Sequence, residues 1–191
     1  RDAQESRGLG DVYKRQVWTW GRNNYGQLGL GDTTNRTEPE EVKAERTSEK
    51  GTTQEEITDA IDVAAGVHHT LILRKDGTVW ATGLNSYGQL GNGNKTSQPT
   101  LTKVKGPNGV GYLQNVVAIA AGELTSYALM ENGEVYSWGY NSYGQFGVNN
   151  TSASNYPVKM KKVSFKKSII IAAAVLAVGT VAFASKGAVN Y

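Results

Sequence analysis

One thirteen-residue segment occurs three times in this chain of 191 residues, and it restricts the possible folds more than any other feature. The copies read V-W-T-W-G-R-N-N-Y-G-Q-L-G at residues 17–29, V-W-A-T-G-L-N-S-Y-G-Q-L-G at 79–91 and V-Y-S-W-G-Y-N-S-Y-G-Q-F-G at 135–147. Their first residues are 62 and 56 positions apart. Internal similarity at such a period is typical of solenoids and propellers. The chain is therefore expected to stack similar units.

Each copy has the composition of a β-strand followed by a tight turn. Aromatic and β-branched residues at its start favour a pleated strand, and the Asn and Gly that follow tolerate the left-handed backbone of a turn. A second shared half lies upstream, at 61–73 and 117–129, and the two halves are joined by Asp-Gly at 76–77 and Asn-Gly at 132–133. Such pairs between apolar runs are strong hairpin signals. One unit therefore reads as four strands. A proline closes each of the three copies: Pro39, Pro99 and Pro157.

These residues resemble the repeat of the regulator of chromosome condensation family, A-A-G-x-x-H-T-x-A-L-x-x-D-G-x-V-Y-x-W-G-x-N-x-x-G-Q-L-G. The resemblance extends over residues 17–158 and is specific, because the copies agree in order and spacing. It implies a β-propeller of four-stranded blades, seven of them in members that close the ring. Two positions depart from the pattern: Thr82 replaces a Trp, and Thr125 stands where the second copy has His69. Neither change is expected to disturb the fold.

The sequence divides into a tail, a propeller part and a C-terminal segment. Residues 1–16 carry no strand period and look either unlike native sequence or like a disordered tail, so we leave them out of the fold prediction. Residues 17–158 are the predicted propeller part, and residues 159–191 differ from it in composition. The fold class predicted is all-β, an incomplete β-propeller with a separate C-terminal apolar helix.

The propeller part holds about two and a half blades. A half repeat at 17–43 is followed by complete repeats at 57–104 and 116–158, and the polar run from 43 to 56 is expected to form a loop. A blade packs between two neighbours, so an open set of blades exposes apolar faces at its ends. We therefore expect further blades in the intact protein.

The C-terminal segment is first basic and then apolar. It contains six lysines and no acidic residue, and residues 169–184 carry no charge. A basic start at Met160, an apolar run and the A-x-A pattern at 182–184 match a secretory signal peptide joined to the repeats. A membrane anchor at 169–184 and an ordinary buried helix are the alternatives, although a membrane span takes about 20 apolar residues. The signal-peptide and membrane-anchor interpretations favour an extracellular or cell-envelope protein, and the compartment stays open.

The charge distribution argues against nucleic acid as a partner. Residues 17–157 hold ten basic and fourteen acidic side chains, so the net charge of +3 comes from the flanking segments. Binding to a phosphate backbone requires clustered Lys and Arg.

The chain also has no cysteine, which excludes disulfides, thiolate metal sites and cysteine nucleophiles.

No residue pattern indicates catalysis. His68 and His69 are adjacent, so on a strand they point to opposite faces and cannot bind one metal ion. His69 also matches a position of the family repeat that looks structural. No nucleophile elbow, Walker motif or metal-ligand spacing occurs. The sequence therefore predicts a protein that is not an enzyme, with no cofactor and no metal site.

Six residues around the repeated turn are the candidates for contact with a partner. Three follow the W-G or T-G pair at a variable position, and three precede the first Gly of the turn: Arg22, Leu84 and Tyr140, and Tyr25, Tyr87 and Tyr143. Aromatic side chains on loops make good interface anchors. The recurrence of tyrosine in every copy also fits a packing role.

Two classes of function fit these features. The first is a non-enzymatic protein-interaction module that displays its loops to a protein or surface ligand. The second, implied by the family resemblance, is a fragment of a nucleotide-exchange regulator of a small GTPase. The first is favoured, because an exchange regulator requires a closed ring and a specific set of loops, and these residues show neither.

Overall fold

A computed structural model describes residues 15–48 and 51–161, and these residues form twelve β-strands. The only helical element among them is a 3-10 turn at Pro107–Gly109. The prediction of an all-β protein is therefore confirmed for the described residues. In chain order the strands are β1 Trp18–Gly21, β2 Arg36–Glu41, β3 Lys43–Ser48, β4 Gly51–Glu56, β5 Ala60–Ala65, β6 His69–Arg74, β7 Val79–Gly83, β8 Gln98–Lys103, β9 Val116–Ala121, β10 Thr125–Met130, β11 Val135–Gly139 and β12 Ser154–Lys159.

The strands form two complete four-stranded blades and one half blade. The first blade has the order β5-β6-β7-β8 and the second β9-β10-β11-β12, each an antiparallel meander. The half blade is the pair β1-β2, which corresponds to the third and fourth strands of a blade. The strand register shows this equivalence. In each of the three units, the register shifts near the end of the third strand, and the last glycine of that strand then pairs with the first residue of the fourth: Gly21, Gly83 and Gly139.

Strand β6 lies at the centre of the core and contributes to both of its hydrophobic clusters. All of its residues except Arg74 are buried, and its side chains alternate between two hydrophobic clusters. Leu71 and Leu73 contribute to a cluster shared with the second blade, and Ile72 contributes to a cluster shared with the half blade. The first blade is thus held between two neighbours, as expected for propeller repeats.

The run from 43 to 56 forms a hairpin, which corrects the prediction of a loop. Strands β3 and β4 pair antiparallel in continuous register, from Lys43 opposite Glu56 to Ser48 opposite Gly51. Its base is anchored by buried Val42 and Ile57, and Ala44 packs in the same cluster. A strand needs only one buried face. Exposed Lys43 and Glu45 alternate with buried Ala44, so one face of β3 is buried although the sequence shows no apolar run there.

The prolines lie within the fourth strands rather than after them, a second correction. Pro39 is in β2, Pro99 in β8 and Pro157 in β12. Each of these strands is at the edge of its sheet, where one row of backbone N–H groups has no strand partner. Proline, which lacks an N–H group, is tolerated at such positions.

Several sequence predictions fall outside the described residues. These are the tail up to residue 14 and the C-terminal segment from residue 162, including the apolar helix and its signal-peptide or anchor interpretations at 169–184. Among residues 15–48 and 51–161, there is no helix with the length and apolar character needed to span a membrane.

Candidate interaction surface

Aromatic side chains at one end of the blades form a row. The rings of Tyr87 and Tyr140 meet edge to face across the two blades, with centroids 4.9 Å apart, and Tyr143 follows at 6.0 Å from Tyr140. Tyr25 of the half blade contacts His68 of the first blade at 4.9 Å. Edge-to-face rings at these distances attract one another beyond their apolar burial. We call Tyr25, His68, Tyr87, Tyr140 and Tyr143 the aromatic row.

The six predicted contact residues all lie on the turns that carry this row, and they differ in exposure. Tyr143 is 86% exposed, against 38% for Tyr25 and 39% for Tyr87. Arg22 is exposed, whereas Leu84 and Tyr140 are half-buried. The backbone N–H of Leu84 donates to the carbonyl of His68 at 2.8 Å within the first blade.

A buried asparagine holds each turn in shape. In the first blade, the Asn85 side chain is fully buried, and its Oδ1 accepts the Leu90 N–H at 3.0 Å. Its Nδ2 donates to the carbonyls of Asn94 and Thr96, both at 3.1 Å. Asn141 makes the same three bonds in the second blade, and Asn23 makes two of them in the half blade, with the Leu28 N–H and the Asp32 carbonyl. Because a buried amide must be satisfied, these bonds restrict the turn to one conformation.

A glutamine two residues after each tyrosine fixes the tyrosine backbone. The Oε1 atoms of Gln27, Gln89 and Gln145 accept the N–H of Tyr25, Tyr87 and Tyr143 at 3.0, 3.0 and 2.9 Å. The rings are therefore presented from a rigid backbone, although they are partly exposed. Rigid anchors lose little conformational entropy when they bind a partner.

The same turns join each unit to the next. At the first joint, between the half blade and the first blade, Thr70 donates its hydroxyl to the Gln27 carbonyl and Thr82 donates to the Gly26 carbonyl, both at 2.8 Å. Gly26 lies so close to β8 that an added Cβ would stand 2.4 Å from the Pro99 Cα. The glycine is therefore required by contact as well as by its φ of 78°.

The second joint, between the two blades, repeats this arrangement with different donors. Ser126 Oγ and the indole N–H of Trp138 both donate to the Gln89 carbonyl, at 2.7 and 2.9 Å. A Cβ on Gly88 would stand 2.5 Å from the Asn155 Cα. Trp138 is fully buried and belongs to the hydrophobic cluster shared by the two blades.

His69 is a structural histidine at this second joint. Its Nε2 lies 2.9 Å from Ser126 Oγ, and Ser126 donates its own proton to the Gln89 carbonyl, so Nε2 must carry the proton that His69 donates. Burial, with a smaller effect of neighbouring His68, lowers the pKa of His69 to about 4. The imidazole is neutral near pH 7. Because Ser126 donates its hydroxyl proton to the Gln89 carbonyl, His69 cannot act as the base that activates Ser126 as a nucleophile.

His68 and His69 point away from each other, as the strand alternation predicts, since one contacts Tyr25 and the other Ser126. In the described part of the chain, no three His, Asp, Glu or Cys side chains come together as metal ligands. The absence of an enzyme activity and of a cofactor stays a prediction from the sequence.

Comparison with known families decides the class of these units. The family model described as the Regulator of chromosome condensation (RCC1) repeat matches residues 16–73, 76–129 and 132–175, and a second model of the same description matches 60–89 and 116–145. The chain belongs to the RCC1 repeat family. The resemblance predicted from the repeated segments is thereby confirmed.

Relatives of the chain include several larger RCC1-repeat proteins. It is 35% identical to the zebrafish (Danio rerio) protein RCC2 homolog over 81% of this chain and 28% of that protein. It is 30% identical to the ultraviolet-B receptor UVR8 of Arabidopsis thaliana over 84% of this chain and 33% of the receptor. Identity to human RCC2 is 40% over 70% of this chain and 23% of that protein. The chain thus spans a third or less of each.

Solved structures show the same fold. Prp20p from Saccharomyces cerevisiae matches with a TM-score of 0.60 and 25% identity, over 77% of this chain and 34% of that chain. Human WBSCR16 matches with a TM-score of 0.56 and 25% identity, over 76% of this chain and 35% of that chain. The four-stranded sheets of this protein are therefore blades of the RCC1 propeller type.

The two departures from the RCC1 repeat pattern are accommodated by hydrogen bonds. The Thr82 hydroxyl, in place of Trp, shares its one proton between the carbonyls of Gly26 and Gln98, at 2.8 and 2.9 Å. Thr125, in place of His, donates to the Tyr140 carbonyl at 2.7 Å. The sequence prediction missed the roles of the buried asparagines and glutamines, although their recurrence in all three copies was a usable signal.

Proposed function

We propose that this protein is a non-enzymatic interaction module that binds a protein partner through the aromatic row. The observation that supports this most directly is that Tyr25, Tyr87 and Tyr143 are partly exposed while Gln and Asn side chains hold their backbone rigid. Tyrosine is enriched among the residues that dominate binding energy at protein interfaces. Its ring contacts lie at both joints, Tyr25 on His68 at the first and Tyr87 on Tyr140 at the second.

The chemistry of the surface favours a partner with apolar or cationic side chains. Aromatic faces attract Lys and Arg, and residues 17–157 carry four more acidic than basic side chains. The same charge disfavours nucleic acid. The related protein Prp20p is described with its binding to Gsp1p and histones in one structure and with Kap60 bound in another, which supports a protein as the class of partner.

The test uses a phage-displayed library of linear peptides selected on the full chain. Peptides that are selected should bind Tyr87→Ser and Tyr143→Ser at least about tenfold more weakly, since a residue that dominates an interface contributes about 2 kcal/mol or more and about 1.4 kcal/mol is a factor of ten. Tyr112→Ser is the matched control, because Tyr112 is 48% exposed and lies outside the row. Equal binding to all three variants would contradict the proposal.

The second candidate is a fragment of a nucleotide-exchange regulator of a small GTPase. It is supported by the similarity to Prp20p, whose described binding partners include Gsp1p. The discriminating measurement is the release of fluorescent GDP from Gsp1p with and without this chain. An interaction module leaves the release rate unchanged, whereas an accelerated rate would favour the second candidate.

A further inference from the structure

The first blade has an excess of basic side chains in a propeller part that is otherwise acidic. Residues 57–113 hold five basic and three acidic side chains, whereas residues 17–56 hold five and eight. Residues 114–157 hold three acidic side chains and no basic one. An uneven distribution of this kind attracts ligands of the opposite charge to one part of a surface. The first blade is therefore the part of the protein that favours an acidic ligand.

Two of these basic residues, Lys103 and Lys105, lie against the ring of Tyr112. Their Nζ atoms are 5.0 and 4.8 Å from the centre of that ring, and Lys103 Nζ is also 5.8 Å from the centre of the Trp80 ring. The two lysines flank buried Val104, so their side chains leave the backbone on the same side. Contact with the rings restrains both side chains, which lowers the entropy that they lose when they bind an anion.

The loop that carries Tyr112 is held at its base and at its tip. Lys105 and Tyr112 form a β-bridge across the base. Gly109, near the tip, lies against the ring of Tyr156 in the second blade, where an added Cβ would stand 2.8 Å from the nearest ring atom. Tyr112 is 48% exposed, although the half blade and the second blade are both in place beside the first. The ring is therefore fixed and accessible at the same time.

The second blade shows what is missing beside these lysines. Lys159 has the same position in the strand register of the second blade as Lys103 has in the first. Lys159 forms an ion pair with Glu134, whereas Thr78 stands at the equivalent position of the first blade. Within the described part of the chain, neither Lys103 nor Lys105 forms an ion pair. Both ammonium groups are thus available to an external anion.

Two acidic side chains of the first blade lie near this surface and already have partners. Asp59 forms an ion pair with Arg74 at 2.6 Å. Asp76 accepts the N–H and the hydroxyl of Thr78, at 2.9 and 2.7 Å. Partial burial opposes ionisation of Asp76, but the Thr78 bonds and the charges of Lys103 and Arg74 outweigh it and lower its pKa. Asp76 therefore offsets part of the charge of Lys103 without forming an ion pair with it.

We propose that Lys103, Lys105 and Tyr112 bind an extended acidic segment of a partner protein, with acidic side chains at alternate positions. Alternate side chains of an extended chain lie on one face, roughly 6.6 Å apart, which is also the spacing of the two lysines along their own backbone. Each carboxylate pairs with one ammonium group, and the exposed face of Tyr112 packs against the segment. A protein segment is favoured over nucleic acid, because the acidic units on either side repel a long polyanion.

This surface shares no residue with the aromatic row. The row favours apolar or cationic partners, so an acidic probe tests the lysine surface separately, and failure of one proposal leaves the other standing.

The test uses two fluorescein-labelled peptides of identical composition, whose binding to the full chain is measured by fluorescence anisotropy at low salt. One is Glu-Thr-Glu-Thr-Glu-Thr-Glu-Thr, and the other is Thr-Glu-Glu-Thr-Thr-Glu-Glu-Thr, in which no two glutamates are separated by a single residue. The alternating peptide should bind at least about fivefold more tightly. Lys103→Met and Lys105→Met keep an aliphatic side chain against the rings and remove the charge, so each should weaken binding at least about fivefold.

Lys95→Met is the matched control, because Lys95 is an exposed lysine of the same blade outside this surface. It should change the affinity by less than about twofold, and Tyr87→Ser in the aromatic row should leave it unchanged. Equal loss of affinity in all three lysine variants, or equal affinity for the two peptides, would indicate attraction by overall charge and overturn the proposal.

Three further outcomes would also overturn it. A thymidine oligonucleotide of the same length that binds as tightly as the alternating peptide would show a general anion site. Loss of binding in Tyr87→Ser, with the lysine variants unaffected, would assign the peptide to the aromatic row. No binding of the alternating peptide at low salt would show that the lysines hold no acidic segment.

Discussion

Single buried polar residues maintain the shape of the turns in this protein. Asn85 is the centre of one such turn, because its side chain both accepts and donates bonds that no water can replace in a fully buried position. A buried donor or acceptor left without a partner costs about 1–3 kcal/mol. Each repeat therefore depends on one amide for the shape of its turn.

We expect Asn85→Asp to destabilise the protein by about 3 kcal/mol, because a carboxylate would replace the two amide N–H donors and face the carbonyl oxygens of Asn94 and Thr96. Urea unfolding measures the change in the free energy of unfolding. Asn24→Asp is the control, since Asn24 is exposed on an equivalent turn and its replacement should cost less than about 0.5 kcal/mol. Equal effects of the two substitutions would show that the Asn85 bonds contribute nothing.

His69 makes stability depend on pH. Its pKa is about 4 in the folded protein and about 6.5 when unfolded, so the unfolded chain binds a proton between these values that the folded chain excludes. Stability is therefore fully present above pH 6.5 and is lost as the pH falls toward 4, by up to about 3 kcal/mol. His69→Gln keeps a donor for Ser126 and should be less sensitive, so its unfolding free energy should fall less between pH 7 and 4.5. Parallel pH curves for both proteins would refute this assignment.

At the level of the element, the Gly-Gln-Leu-Gly type of turn has two tasks: it reverses the chain, and it docks on the neighbouring unit. The first task requires a positive φ at glycine, and the second requires the absence of a side chain. Both operate at Gly26 and Gly88, whereas only the first operates at Gly144. The chain thus contains its own control for separating them.

We expect Gly144→Ala to cost about 1 kcal/mol, the strain of an L-residue in the left-handed region. Gly88→Ala should carry the same strain and in addition about 2 kcal/mol, because its Cβ would stand 2.5 Å from the Asn155 backbone. Urea unfolding of both variants at low protein concentration measures the difference. If the two substitutions cost the same, close approach at the joint is not what requires glycine at position 88.

On the scale of the whole molecule, stability is expected to be greatest in the first blade, which lies between the half blade and the second blade. The first blade contributes to both hydrophobic clusters, whereas the half blade contacts a neighbour on one side and exposes Trp18 and Trp20 on the other. Elements with few buried contacts open more readily than those between two neighbours. The half blade should therefore unfold locally before the rest.

Hydrogen exchange followed by mass spectrometry would measure this gradient. Amides of β6 should exchange at least about 100-fold more slowly than those of β1, because opening β6 disrupts both clusters and opening β1 disrupts one edge. Uniform exchange over both strands would mean that the three units unfold together.

Much of the architecture could be predicted because its signals are local. The recurrence of a thirteen-residue segment, the Asp-Gly and Asn-Gly hairpins and the apolar run of β6 each depend on neighbouring residues, so the repeats, the four-stranded unit and the all-β class follow from them. The sequence does not predict the hairpin at 43–56, because its strands are polar and, of their described side chains, only Ala44 is buried. The sequence locates the turn residues but does not predict the hydrogen bonds that their Asn and Gln side chains make.

The environment of equivalent residues, in contrast, was decided only by tertiary structure. Trp20, Thr82 and Trp138 occupy one position in the repeat, yet Trp20 faces solvent while the other two are buried against a neighbouring turn. Likewise, Tyr143 is 86% exposed, whereas Tyr25 and Tyr87 at the equivalent positions are 38% and 39% exposed. The amino-acid pattern specifies a blade and its rigid turn, because those interactions lie within one repeat. Whether a given copy serves as a buried joint or as an exposed surface depends on which unit stands next to it, and that is a property of the assembled blades.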